Sequence, residues 1–120
     1  MTMGLDELQR CIDECEQCRD TCLLTVVHCL RRGGRHAHVK HITMLLDCVD
    51  MCATSTNIML RGSELHRLAC ETCAVVCDAC AAACEAFHHD GAMRRCAEQC
   101  RRCAEACREV ATAGTAGSKE

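Results

Sequence analysis

The sequence predicts an all-α chain folded as an antiparallel up-down-up-down four-helix bundle with a Cys-lined core. Three observations predict it. The 120 residues contain no Pro, so nothing in the chain forbids long helices. Three breaks, Gly33-Gly34, Gly62-Ser63 and Asp90-Gly91, divide the chain into four segments. Connections this short force consecutive helices to lie antiparallel. Finally, Cys recurs within the segments at steps of three and four, the spacing of a single stripe along a helix.

The first segment, 5–31, carries Cys11, Cys15, Cys18 and Cys22, then Cys29 seven residues further on. The second, 35–61, carries Cys48 and Cys52 and continues the same seam with His38, His41, Leu45, Ser55 and Met59. The third, 64–88, carries Cys70, Cys73, Cys77, Cys80 and Cys84, with Ser63 placed to cap its N-terminus. The fourth, 92–112, carries Cys96, Cys100, Cys103 and Cys107, with Asp90 as its N-cap. Charged flanks such as Asp13-Glu14, Arg94-Arg95 and Arg101-Arg102 read as solvated faces. Residues 113–120, rich in Gly, Ala, Ser and Thr, read as a flexible tail, which leaves 1–112 as one domain.

Composition says what must fill the interior. Leu, Ile, Val and Phe together make up 21 of 120 residues, about 18%, a fraction at which a chain normally cannot bury enough hydrocarbon to fold. Phe87 is the one aromatic residue. A dedicated hydrophobic ligand pocket is therefore excluded. The net charge of −3, with both signs mixed, gives no basic field for nucleic acid, and base stacking has no aromatic platform. No apolar run approaches the ~18 residues of a membrane span. The start, Met1-Thr2-Met3-Gly4-Leu5-Asp6-Glu7, lacks the basic and apolar regions of a secretory signal, so the expected location is cytoplasmic, where thiols stay reduced.

Sixteen Cys on inward stripes call for a chemical account. As plain core residues they would pack loosely, because Cys is smaller than Leu. Disulfides between i and i+3 or i+4 on one helix are disfavoured, because the Cβ vectors run nearly parallel. Metal remains. Soft thiolates select Cu(I), Zn(II) or iron–sulfur clusters. The tight C-x₂-C-x₂-C-x₃-C-P run of ferredoxin-type clusters is missing. Separate four-thiolate zinc sites would hold about four Zn²⁺ and leave a buried charge of about −8, prohibitive in a low-dielectric interior. Cu(I) is univalent and its thiolates bridge, so about one ion per thiolate makes the core nearly neutral. Charge balance thus favours copper. A metallothionein-like Zn(II) or Cd(II) detoxification protein is the alternative.

The up-down order gathers Cys29, His36, His38, His41, Met44, His88, His89 and Met93 at one end of the bundle. His41, Met44 and His88 are the candidate ligands beyond the thiols, and this end is the expected entry and exit. The other end, with Leu5, Leu8, Ile58, Leu60, Leu65, Leu68 and Val110, reads as a hydrocarbon plug, where Met59 and His66 pack. No enzyme is expected. The one Glu-x-x-His match, Glu85-Ala86-Phe87-His88, is unpartnered, and no thiol stands apart as a nucleophile.

With its repeated C-x₃-C and C-x₂-C pairs over all four segments, as in Cys70 to Cys84 and Cys96 to Cys107, the chain resembles the cytosolic branch of the copper storage protein family. The resemblance implies four-helix bundles lined by Cys that bind many Cu(I) ions. It also implies homotetramers, storage without turnover, and exchange with copper donors or acceptors. The ligand role carries over residue by residue to the sixteen Cys. Leu23, Leu24, Val26, Val27, Val75 and Val76, outside the seam, would suit a tetramer interface.

Overall fold

A computed structural model describes residues 4–113. Four helices make up the architecture: α1 (Leu5–Arg32), α2 (Val39–Leu60), α3 (His66–Glu85) and α4 (Gly91–Thr112). They form a square bundle. Each helix packs on its two chain neighbours, α4 closes back on α1, and the backbones of the diagonal pairs stay apart. No described helix is long and apolar enough to cross a membrane. The tail expected at 113–120 lies, from residue 114 on, outside the described residues.

The ends of the elements follow local chemistry. Gly33 and Gly34 take φ of 73° and 60°, a left-handed turn that side chains with a Cβ rarely adopt. A short 3₁₀ turn, Gly34–Ala37, follows. His38 then caps α2, its Nδ1 accepting from the Lys40 N–H. The second helix therefore starts at 39, not 35, and His38 is an exposed cap rather than a member of the seam. Helix α3 starts at 66, not 64. Ser63 holds the turn before it instead of the N-cap position, with its hydroxyl accepting from the Leu65 N–H at 3.0 Å. Asp90 caps α4 as expected: one carboxylate oxygen accepts from the backbone of Ala92 and Met93 at 2.9 and 3.3 Å.

Every one of the sixteen Cys is fully buried. The shoulders of the thiol stripe are small: Ala69, Ala74, Ala81, Ala97, Ala104 and Ala106 are buried beside it. Small residues in the core let the helix axes approach closely, which brings sulfurs from opposite helices within reach across the centre. Large hydrocarbon is scarce, with Leu45 and Val110 fully enclosed.

Two expectations need correction. The plug at the closed end consists of Ile12, Met59, Val110 and the half-buried Leu8. Leu5, Leu60, Leu65 and Leu68 are exposed there, because they lie where helices begin and end, and their side chains pass outside the seam. Of the proposed interface residues, Leu23, Leu24, Val27 and Val75 are exposed, but Val26 is buried and Val76 packs against the core.

Candidate metal site

The thiols converge into one column along the bundle axis. At the closed end Cys11 stands 4.0 Å from Cys70 on the diagonal helix and 3.6 Å from Cys107 on the neighbouring one. Cys107 lies 3.7 Å from Cys15, which lies 3.7 Å from Cys103. In the middle, Cys18 is 3.8 Å from both Cys48 and Cys100, and Cys48 is 3.8 Å from Cys77. Cys77 in turn is 3.7 Å from Cys52 and 3.8 Å from Cys73. Towards the other end, Cys22 is 3.8 Å from Cys96 and from Cys100. Cys80 and Cys84 adjoin Cys96 and complete this stretch.

These separations have chemical meaning. A disulfide needs about 2.05 Å between sulfurs; here every Cys is free, and the sulfurs sit at van der Waals contact. With metal–thiolate bonds of about 2.3 Å, three thiolates around one ion stand about 4 Å apart. The column is thus already close to ligating geometry. Several groups could each hold an ion: Cys11, Cys70 and Cys107; Cys15, Cys73, Cys103 and Cys107; Cys18, Cys22, Cys48 and Cys100; Cys18, Cys48, Cys52 and Cys77; Cys52, Cys73, Cys77 and Cys103. The groups share members. Cys18, Cys48, Cys52, Cys73, Cys77, Cys103 and Cys107 each belong to two, so the thiols form a chain of bridged positions rather than separate sites.

Electrostatics explains what such a column demands. Apart from the thiols, His41 is the only buried titratable group among the described residues; no Lys or Arg enters the core. The thiol of Cys100 is held far above the usual range, first by Cys18, and that of Cys103 likewise, first by Cys107, with burial adding in the same direction. A lone thiolate can be held by neighbouring S–H donors. Ionising adjacent thiols together requires a cation between them.

At the open end the column finishes in a mixed donor set. Cys29 donates to the Met93 sulfur at 3.5 Å, and its own sulfur lies 3.5 Å from His41 Nε2. Burial, then the charges of Asp90 and Cys96, pushes the Cys29 thiol up to about 11. Burial, followed by His36, lowers His41, which keeps the imidazole neutral and its lone pair available. Phe87 packs beside this set, its ring centroid 4.4 Å from that of His36 and 4.8 Å from that of His41.

Of the three candidates outside the thiols, the structure thus brings only His41 to the column. Met44 is half-buried and packs against the core. His88 is exposed, its ring tilted against that of His89 at a centroid distance of 4.1 Å. Two thioethers not counted as ligands do reach thiols: Met93, and Met59 at the closed end, whose sulfur accepts from Cys70 at 3.6 Å. Both were readable. Met93 lies one step of three before Cys96 and Met59 one step of four after Ser55, each continuing its stripe. Asp90 also does more than cap. Its second oxygen is 2.8 Å from His28 Nε2 and 3.0 Å from His36 Nε2, and these contacts, led by His28, hold its carboxyl well below the usual range.

The same fold is found elsewhere. The model of the copper storage protein family (Csp) matches residues 5–112. A Nitrosospira multiformis protein, Nmul_A1745, is 42% identical with a TM-score of 0.85, covering 91% of this chain and 98% of its own. Cu(I)-bound copper storage protein BsCsp3 is 30% identical with a TM-score of 0.81, covering 88% and 98%. A histidine variant of Streptomyces lividans Ccsp is 29% identical with a TM-score of 0.87, covering 94% and 98%. No curated protein matches. Since the family match runs through all four helices, and a solved member at 30% identity superimposes over nearly its whole length, the chain belongs to the copper storage protein family.

Proposed function

We propose that the protein stores Cu(I), many ions per chain and about one per Cys, on the thiolates that line its bundle. The observation that carries this reading is the unbroken column of shared, fully buried thiols with no buried cationic side chain beside it. Each thiol that binds gives up its proton, and each Cu(I) restores one positive charge. The interior stays neutral as it fills, so filling does not accumulate the burial cost of charge. Neighbouring ions share bridging sulfurs, and copper can pass along the column by exchanging one thiolate for the next.

Cys29, His41 and Met93 form the port. Thioether and imidazole hold Cu(I) more weakly than a thiolate pair, which suits capture and release. All sixteen Cys are ligands on this reading, whereas Met44 and His88 lie outside the port. Storage rather than catalysis is the role, because no thiol is singled out as a nucleophile. The cytoplasm suits a protein whose thiols must stay reduced. Leu23, Leu24, Val27 and Leu30, exposed on α1, offer apolar surface for assembly into the expected homotetramer.

The four-thiol groups also favour a second reading, Zn(II) or Cd(II) binding, since four is zinc's ligand number. Anaerobic titration of reduced protein with Cu(I) against a chromophoric chelator separates the two. Copper storage predicts tight uptake to about one ion per Cys. Saturation at a few ions refutes it, as does zinc retained when copper is abundant.

A further inference from the structure

The rim of the open end carries charge that storage itself does not use. Arg31 and Arg32 lie in the last turn of α1, Arg35 in the 3₁₀ turn, Lys40 near the start of α2, and Arg94 and Arg95 near the start of α4; all six are exposed. Asp90 and Glu85 beside them are engaged, Asp90 by His28 and His36 and Glu85 by Arg101, and Glu98 lies one turn along α4 from Arg94 and Arg95, so the cations outnumber the carboxylates. A chain of net charge −3 therefore presents a positive rim at its port. In physiological salt a bare cation within about 8 Å of it is repelled, and an anion is attracted.

Beside the port lies a cavity of about 250 Å³, lined by Arg32, Arg35, Phe87 and three histidines, and also by Asp90, whose carboxylate is taken up by His28 and His36. The Arg35 guanidinium sits over the Phe87 ring at 4.7 Å from its centroid. The same ring packs against His41, which is in contact with Cys29. Two side chains, Phe87 and His41, thus separate the cavity from the first thiol. Its size suits a small molecule, and its walls suit carboxylates.

We propose that the port receives its copper as a small anionic thiolate complex of Cu(I), whose carboxylates dock on Arg32 and Arg35. The inference rests on the copper-storage reading and names the form in which the cargo arrives. Transfer is ligand exchange without a redox step. The two copper–sulfur bonds to the carrier break, and copper bonds to the sulfur of Cys29, with His41 and Met93 completing the set. The Cys29 proton passes to one departing carrier sulfur, and the other leaves as thiolate, so charge balances.

The test is the initial rate at which reduced apo protein takes Cu(I) from two donors: its complex with glutathione, an acidic thiol tripeptide, and its complex with cysteamine, a thiol bearing an ammonium group. Uptake from the glutathione complex should be about tenfold faster at low salt, within the 10–10³ range of electrostatic steering, and the advantage should shrink as salt rises. The double variant Arg32→Glu, Arg35→Glu, checked for helicity by circular dichroism, should lose or reverse the preference. Equal rates from the two donors, or a preference for the cationic one, overturn the proposal. A preference seen only with an acidic protein donor, and not with the tripeptide complex, overturns the small-carrier assignment. Copper content at equilibrium is read in the same samples: no uptake from any donor refutes the storage reading itself, and this one with it, whereas full but indiscriminate loading refutes this one alone.

Discussion

Filling the column should release about one proton per copper ion. The perturbation is stepwise addition of Cu(I) to reduced apo protein in weakly buffered, oxygen-free solution at pH 7. An ordinary thiol, with a pKa of about 8.5, is already almost wholly protonated there. All sixteen thiols here are free and buried without a cationic partner, and crowding holds those of Cys100 and Cys103 protonated still more firmly. A thiol must lose its proton to become a ligand. At one ion per Cys, sixteen protons leave for sixteen charges gained, and the net charge stays at −3. A zinc ion in a four-thiolate site would release about four protons and leave the site at −2. The assay is a pH-stat titration, with native electrophoresis of empty and full protein as a second measure. One proton per site also means that apparent affinity weakens about tenfold for each unit of pH lost. A ratio of two or more protons per ion, or a loaded protein that migrates as markedly more acidic, refutes the charge-neutral filling on which the storage reading depends.

Three further outcomes are expected. Met93→Leu conserves volume, so the apo fold should lose less than about 1.5 kcal/mol; removal of copper by an external chelator should change rate, while total capacity falls by about one ion at most, as followed by chelator absorbance. Asp90→Ala should destabilise the apo protein by about 1 kcal/mol through the lost cap, and Asp90→Asn by less, because the amide oxygen still caps; thermal melts compare them. The low pKa of Asp90 adds a pH sign: its contribution is present above the usual carboxylate range and is lost as pH falls through its lower folded value, so the gap between wild type and Asp90→Asn should narrow in melts taken at progressively more acidic pH. Ala81→Leu forces a large side chain into a fully buried position and should cost about 1–3 kcal/mol, seen as a lower melting temperature; an unchanged melt would show that the helix shoulders are looser than described.

How far the sequence alone reached can be told from particular residues. The stripe of Cys70, Cys73, Cys77, Cys80 and Cys84 is legible because helical periodicity is a local property, and every one of these side chains does point inward. Asp90 as a cap is legible for the same reason. His38 is misjudged because a 3₁₀ turn occupies Gly34–Ala37, and neither Pro nor a change of period marks where it ends. The second role of Asp90 depends on α1 and the 3₁₀ turn bringing His28 and His36 to one oxygen, an encounter between segments 54 and 62 residues away in the chain. Leu60, Leu65 and Leu68 mislead because hydropathy at a helix end does not tell which way a side chain faces once the turn begins. Periodicity fixes faces; it says little about termini, and the port of this protein is built from termini.

The thiols follow the helix repeat, and this makes capacity a matter of length. Along α3 five of them occupy Cys70 to Cys84, a rise of about 21 Å at 1.5 Å per residue. Lengthening every helix by one heptad would add roughly two sulfurs per helix, or about eight per chain, at the 3.5-residue spacing of such a seam, with no change in cross-section. Inventory therefore grows with the number of turns whose inward positions are Cys, and a synthetic reservoir of chosen size is a question of how many such turns are stacked.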